Sequence, residues 1–159
     1  MANTYTQIYI HAVFAVEGRQ SLIAPEHKIE IYKYMTSVIQ NQKNKVMAIN
    51  GMPDHVHLLI GLNPDIALSD LVRDIKNNSS NFINDHAWVK GKFCWQEGYG
   101  AFSYSQSQVG NVYNYILNQE EHHGKQTFKT EYIDTLKKYE IEHEEKYLFE
   151  WINRTSENL

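Results

Sequence analysis

The chain has 159 residues, enough for one domain with a single core, since domains most often run to about 100 to 150 residues. Its 42% hydrophobic and 21% charged content excludes global disorder, and no apolar run approaches the roughly 20 residues a membrane-spanning helix needs. A net charge of -4 argues against holding nucleic acid by bulk charge, and the single Cys94 excludes an internal disulfide or a cysteine-rich zinc cluster. The acidity is uneven. Residues 1 to 125 carry 10 Lys and Arg against 11 Asp and Glu, a balance of -1, whereas residues 126 to 159 carry 5 against 8, a balance of -3. The start Met1-Ala2-Asn3-Thr4 has neither the basic nor the apolar region of a secretory signal, and with one cysteine this predicts a cytoplasmic protein.

Tyr5 to Val16 reads as a long strand with Ile8, Ile10, Ala12, Phe14 and Val16 on one face and His11 on the other. Gly18-Arg19-Gln20 breaks it. Pro25 and Glu26 suit the first turn of a helix that runs to about Gln40, with Ile31, Met35, Val38 and Ile39 at helical spacing. Lys45 to Asn50 is a second strand, and Gly51-Met52-Pro53-Asp54 turns it into a third, an antiparallel hairpin. In that third strand His55, His57 and Leu59 alternate with Val56, Leu58 and Ile60 as far as Gly61.

Beyond Asn63-Pro64-Asp65, Ser69 is the expected N-cap of a helix with Asp70 near its positive end and Leu68, Leu71, Val72, Ile75, Phe82 and Ile83 as its buried stripe. Asn77-Asn78-Ser79-Ser80 is a weak helix interior and predicts an interruption. Lys92 to Trp95 and Phe102 to Ser105 read as a strand pair or a bulged strand around Gly98-Tyr99-Gly100. Ser105 and Gln108 form a capping-box pattern that opens a helix through about His122, stopped by Gly124. A helix from about Thr130 to Tyr139 and an acidic tail with Tyr147, Phe149 and Trp151 complete the chain. The order strand, helix, strand, strand, helix, strand is the split β-α-β arrangement: an α+β, ferredoxin-like antiparallel sheet with helices on one face, plus a last helix crossing the sheet and an additional helical tail. The expected organisation is a main domain over 1 to 125 and a helical extension over 126 to 159 packed on it.

Two sets of residues carry chemistry. His55 and His57 project from one face of a strand, so their imidazoles stand side by side as a two-point grip on a metal ion; the competing reading is one hydrogen-bonded core histidine and one at the edge. Tyr115 and Gln119 lie one helical turn apart, which separates Tyr115 from Tyr113 and its other competitors.

Together these residues resemble a known family. His55-Val56-His57, followed by Tyr115 with Gln119 four residues later, is similar to the HUH single-tyrosine transposases of the insertion-sequence-200-like family. The stretches 51 to 59, 95 to 103 and 115 to 123 look most like the branch associated with repetitive extragenic palindromes. The resemblance implies a metal-dependent DNA transposase that cleaves and rejoins single-stranded DNA bearing hairpins, through a 5′-phosphotyrosine. It implies Tyr115 as nucleophile, His55, His57 and Gln119 as metal ligands, and magnesium or manganese as the ion; by helical spacing alone, His122 or His123, one turn beyond Gln119, could reach the same ion. No nucleotide cofactor is expected, because the phosphotyrosyl bond conserves the energy of the bond it replaces. Family members work as dimers that share active sites, or as monomers. Two imidazoles favour transition ions over magnesium, so zinc or nickel acquired in purification is also expected.

For DNA contacts the candidates are Arg19, Arg73, Lys76, Lys90 and Lys92 on phosphates and Tyr99, with Trp95 and Phe102, on unpaired bases. The alternatives from other classes are a non-catalytic hairpin-binding module on the same fold and a phosphoesterase that uses water in place of Tyr115.

Overall fold

In the computed structural model, which describes residues 3 to 119 and 127 to 140, eight regular elements follow one another. They are β1 (Tyr9–Ala15), α1 (Pro25–Asn41), β2 (Lys45–Met52), β3 (His55–Gly61), α2 (Leu68–Asp85), β4 (Gly100–Tyr104), α3 (Gln106–Leu117) and α4 (Phe128–Lys138). The four strands make one antiparallel sheet in the order β2-β3-β1-β4, the ferredoxin-like α+β arrangement that the element order predicts. Period-two alternation sorts the central strands. Ala12, Phe14, Val56, Leu58 and Ile60 point to one side and pack with Ile31, Met35 and Ile39 of α1 and Leu71, Ile75 and Ile83 of α2.

The opposite side is covered by the last two helices. Val109, Val112 and Ile116 of α3 lie on Ala48 and Leu59. Phe128, Tyr132 and Leu136 of α4 lie on Val13, Ala15 and Phe102. Between these two small apolar clusters the histidines emerge. The β2–β3 hairpin is closely wound there, because a Cβ on Gly51 would fall 2.2 Å from the carbonyl oxygen of His55. Only glycine allows that approach.

Several local expectations change. β1 begins at Tyr9, four residues later than alternation suggests. The cap position of α2 is Ala67, and Ser69 lies inside the first turn with Asp70. Asn77 to Ser80 does not interrupt α2: Asn78 Nδ2 donates to the Asp74 carbonyl at 2.8 Å, and the buried Leu71, Ile75, Ser79 and Ile83 hold the helix on the sheet. Packing of that stripe outweighs the low propensity of the run. Lys92 to Trp95 is not a strand but makes one isolated bridge, Trp95 to Val16, just past the end of β1. Ser105 occupies the N-cap of α3 without a side-chain cap bond, its hydroxyl meeting that of Ser107 instead, and α3 ends at Leu117. α4 starts two residues before Thr130, capped by Thr127, whose hydroxyl accepts from the Thr130 amide at 3.2 Å. His122, His123, Gly124 and the aromatic tail from Tyr147 lie outside the described residues.

Candidate active site on the α3–α4 face

His55 and His57 leave β3 on the side covered by α3 and α4, and both are buried, at 1% and 2% exposure. Each ring is held by its Nδ1. His55 Nδ1 is 2.7 Å from Asp54 Oδ1; since a carboxylate only accepts, the proton is on Nδ1 and donates to it. His57 Nδ1 meets His11 Nε2 at 2.8 Å, a contact across the β1–β3 pairing. The His55 ring lies flat on Phe128 with centroids 3.9 Å apart. Burial, reinforced by the neighbouring His57 and opposed by Glu131, lowers the His11 pKa from 6.5 to about 3, so His11 is a neutral imidazole.

α3 carries Tyr115 to the same place. Its ring stands edge-on to His57 at 5.9 Å and to His11 at 6.4 Å. Asn50 of β2 fixes the end of that helix, donating from Nδ2 to the carbonyls of Ile116 at 3.1 Å and Leu117 at 3.0 Å, two of the acceptors a helix terminus leaves over. Gln119 is fully buried one turn on and donates to the Tyr115 carbonyl at 3.3 Å. From α4, Glu131 puts Oε1 3.3 Å from His57 Nε2. Burial, and then the charge and hydrogen bond of Glu131, push the Tyr115 phenol well above its ordinary range; the Gln119 side chain pulls the other way. A cleft of about 330 Å³ between α3 and α4 opens onto His11, Tyr115 and Glu131.

Sequence reasoning picks out His55, His57, Tyr115 and Gln119 and sets His11 on the face of β1 opposite Ala12 and Phe14, but it passes over Asp54, Asn50, Phe128 and Glu131. Asp54 reads as a turn residue, and Asn50 as an ordinary strand polar group. Nothing local marks Glu131, a buried carboxylate in an otherwise acidic segment. Among the described residues no cluster of three or more His, Cys, Asp or Glu has metal-holding geometry. A bound ion would therefore need amide, substrate or water oxygens beside the two imidazoles.

Five of the eight residues singled out for DNA contact fall together away from this cleft. Arg73, Lys76, Lys92, Trp95 and Tyr99 line a groove of about 670 Å³ between α2 and the segment 92 to 99. Arg19 closes a 3-10 turn, Glu17–Arg19, and its side chain lies outside the described residues. Lys90 is exposed, away from that groove lining. Trp95 and Phe102 are packing residues. Trp95 stands edge-on to Phe14 and Phe93 with its indole N–H donating to Ser79 Oγ at 2.8 Å, and Phe102 is buried under α4.

A ferredoxin-like sheet with paired histidines on one strand and a tyrosine helix laid across them defines a class, and comparison with known proteins identifies it. The family model described as "Transposase IS200 like" matches residues 4 to 119. The chain belongs to this transposase family. ISDra2 transposase TnpA of Deinococcus radiodurans is 23% identical over 122 residues, covering 72% of this chain and 86% of its own. Two solved structures share the fold. A candidate transposase of Deinococcus radiodurans R1 superposes with a TM-score of 0.60 at 21% identity, over 75% of this chain and 95% of that one. A REP-associated tyrosine transposase bound to a REP hairpin does so with a TM-score of 0.60 at 16% identity, over 78% and 73%. Among the described residues no helix is long and apolar enough to cross a membrane.

Proposed function

We propose that this transposase cleaves and rejoins single-stranded DNA beside a hairpin, with Tyr115 as the nucleophile and a divalent cation held by His55, His57 and Gln119. The observation that carries the reading is the meeting of Tyr115 with His57, Gln119 and Glu131 beside a cleft that Tyr115 and Glu131 line. Hairpin DNA is the substrate class because the related REP-associated transposase is bound to one. The donor chemistry fits such an ion: Asp54 and His11 engage the Nδ1 atoms of His55 and His57, the arrangement that orients metal-binding imidazoles, and Glu131 Oε1 lies 3.3 Å from His57 Nε2 as a further oxygen at the place an ion would take. Magnesium or manganese at this place would polarise the scissile phosphate and offset the charge that develops there.

Tyr115 in its present surroundings is held as a phenol, by burial and by Glu131. The hydrogen bond to Glu131 also gives the proton a destination. As Tyr115 Oη bonds to phosphorus, Glu131 accepts the phenolic proton, the bond from phosphorus to the 3′ oxygen breaks, and that oxygen leaves as a hydroxyl once it takes up the proton. The 5′-phosphotyrosyl product keeps the energy of the broken bond, so a 3′ hydroxyl can reverse the step without a nucleotide cofactor. That His55, His57, Tyr115, Gln119 and Glu131 of one chain meet supports a site built within a single copy.

The test is denaturing electrophoresis of labelled hairpin-bearing single strands with manganese or magnesium. Wild type is expected to form a covalent DNA adduct, and Tyr115→Phe none. Retained hairpin affinity with no adduct from wild type would leave a binding module. Turnover that survives Tyr115→Phe would point to water as the nucleophile and overturn the assignment.

A further inference from the structure

His11 is a polar ring set into an apolar row. Its register partners across the sheet are Leu59 on β3 and Phe102 on β4, both buried, and a third apolar side chain between them would complete the layer. The imidazole is 4% exposed, and its Nε2 meets His57 Nδ1 at 2.8 Å. Its other nitrogen, Nδ1, is buried with no hydrogen-bond partner among the described residues. A buried polar atom left unpaired lowers stability, so the fold alone gains nothing from this ring. Its place suggests what does. His11 lines the cleft between α3 and α4 together with Tyr115 and Glu131, and its ring centroid is 6.4 Å from that of Tyr115.

The contact between the two imidazoles holds one proton, and its owner depends on what stands at the far nitrogen of His57. A carboxylate only accepts, so Glu131 Oε1, 3.3 Å from His57 Nε2, keeps a proton on that nitrogen. His57 Nδ1 is then the acceptor, His11 donates from Nε2, and His11 Nδ1 carries a bare lone pair. His57 can offer Nε2 to a cation only without that proton. The proton then leaves through the cleft to solvent, the shared proton moves from His11 Nε2 to His57 Nδ1, and His11 takes up another on Nδ1. Each ring begins and ends with one proton. What has changed is the unpaired atom, from an acceptor to a donor.

We propose that His11 binds the phosphate that Tyr115 attacks: with a cation on His57 Nε2, the His11 Nδ1–H donates to a non-bridging oxygen of that phosphate. The donor exists only in the loaded site. Without the cation, Nδ1 presents a lone pair, which repels a phosphate oxygen, so the phosphate is held for attack only when the charge that assists attack is in place. His11 has this role only if Tyr115 cleaves DNA as proposed above.

Long-range proton–nitrogen correlation spectra of the full chain with isotope-labelled histidine show which nitrogen of each ring is protonated, and the His11 ring is identified by its neighbours Phe102 and Tyr104. On saturation with magnesium, the protons of His57 and His11 are expected to move together from Nε2 to Nδ1. A His57 that switches without His11, or no switch in either, overturns the coupling. Adduct formation is then timed on a hairpin-bearing strand whose scissile phosphate is native or a methylphosphonate of either handedness, each lacking one non-bridging oxygen. His11→Gln keeps an acceptor at the ε position for His57 and has no donor at the δ position. For one isomer the loss in wild type should exceed that in His11→Gln by about tenfold or more, as expected for a donor to a charged oxygen. Equal losses in the two proteins for both isomers overturn the contact. Should His11→Gln not fold cooperatively, the wild-type spectra decide alone. A wild type that forms no adduct on native DNA sinks the cleavage reading and this role with it, whereas an adduct with either contrary result sinks the role alone.

Discussion

The two faces of the sheet are built from the same strands and do opposite work. On the α1–α2 side every inward position of the central strands is apolar, and the helices close over them into one continuous core. On the α3–α4 side the apolar contacts split into two smaller clusters, and the gap between them holds three histidines, a tyrosine, a glutamine and a glutamate. Neighbouring residues of β3 belong to different layers: Leu58 packs in the core, and His57 beside it faces Tyr115. Polar groups are tolerated in the second layer because almost every one is paired, Asp54 with His55, His11 with His57 and Asn50 with the end of α3.

The sharpest way to test this division is to change those two neighbours. His57→Gln should reduce adduct formation to background while thermal unfolding remains cooperative. Leu58→Ala should cost about 2 to 5 kcal/mol of stability, read by urea denaturation, yet leave activity per folded molecule near wild type. If both variants lose stability and activity in the same proportion, the faces are not separable. Glu131→Gln keeps the shape of α4 and removes the carboxylate proposed as base, and single-turnover kinetics should show adduct formation slowed by about a hundredfold or more, with hairpin affinity unchanged.

Smaller effects separate the layers further. His11 binds a proton in the unfolded chain below about 6.5 but in the folded protein only near 3, so between those values stability falls as pH falls. From pH 7 to pH 5 this one group should account for about 2 kcal/mol of lost stability, and His11→Asn should flatten the slope in paired urea titrations. Asn50→Ala leaves the last carbonyls of α3 to water and should cost about 1 kcal/mol, with a greater loss in adduct rate than in stability if that helix end positions Tyr115.

Much of this protein can be read from its residues in order. Strand alternation assigns His55 and His57 to the face opposite Val56 and Leu58, and the helical repeat sets Gln119 one turn from Tyr115; both patterns depend on residues within a few positions of one another. The succession of strands and helices restricts the sheet to few topologies, and the ferredoxin-like order follows. What failed was local and instructive: Asn77 to Ser80 reads as a break because propensity is local, whereas the stripe from Leu71 to Ile83 that overrides it acts through contacts with another element.

Tertiary structure alone decided who stands beside these residues. His11 meets His57 across 46 positions of chain, and Glu131 reaches His57 and Tyr115 only because α4 folds back over the sheet. Arg73, Lys92 and Tyr99 become one surface only when α2 and the segment 92 to 99 close a groove. Periodicity specifies the direction in which a side chain leaves its own element, since that depends on backbone geometry. The partner it finds is set by which apolar surfaces of distant elements bury one another, and no short stretch of sequence contains that information.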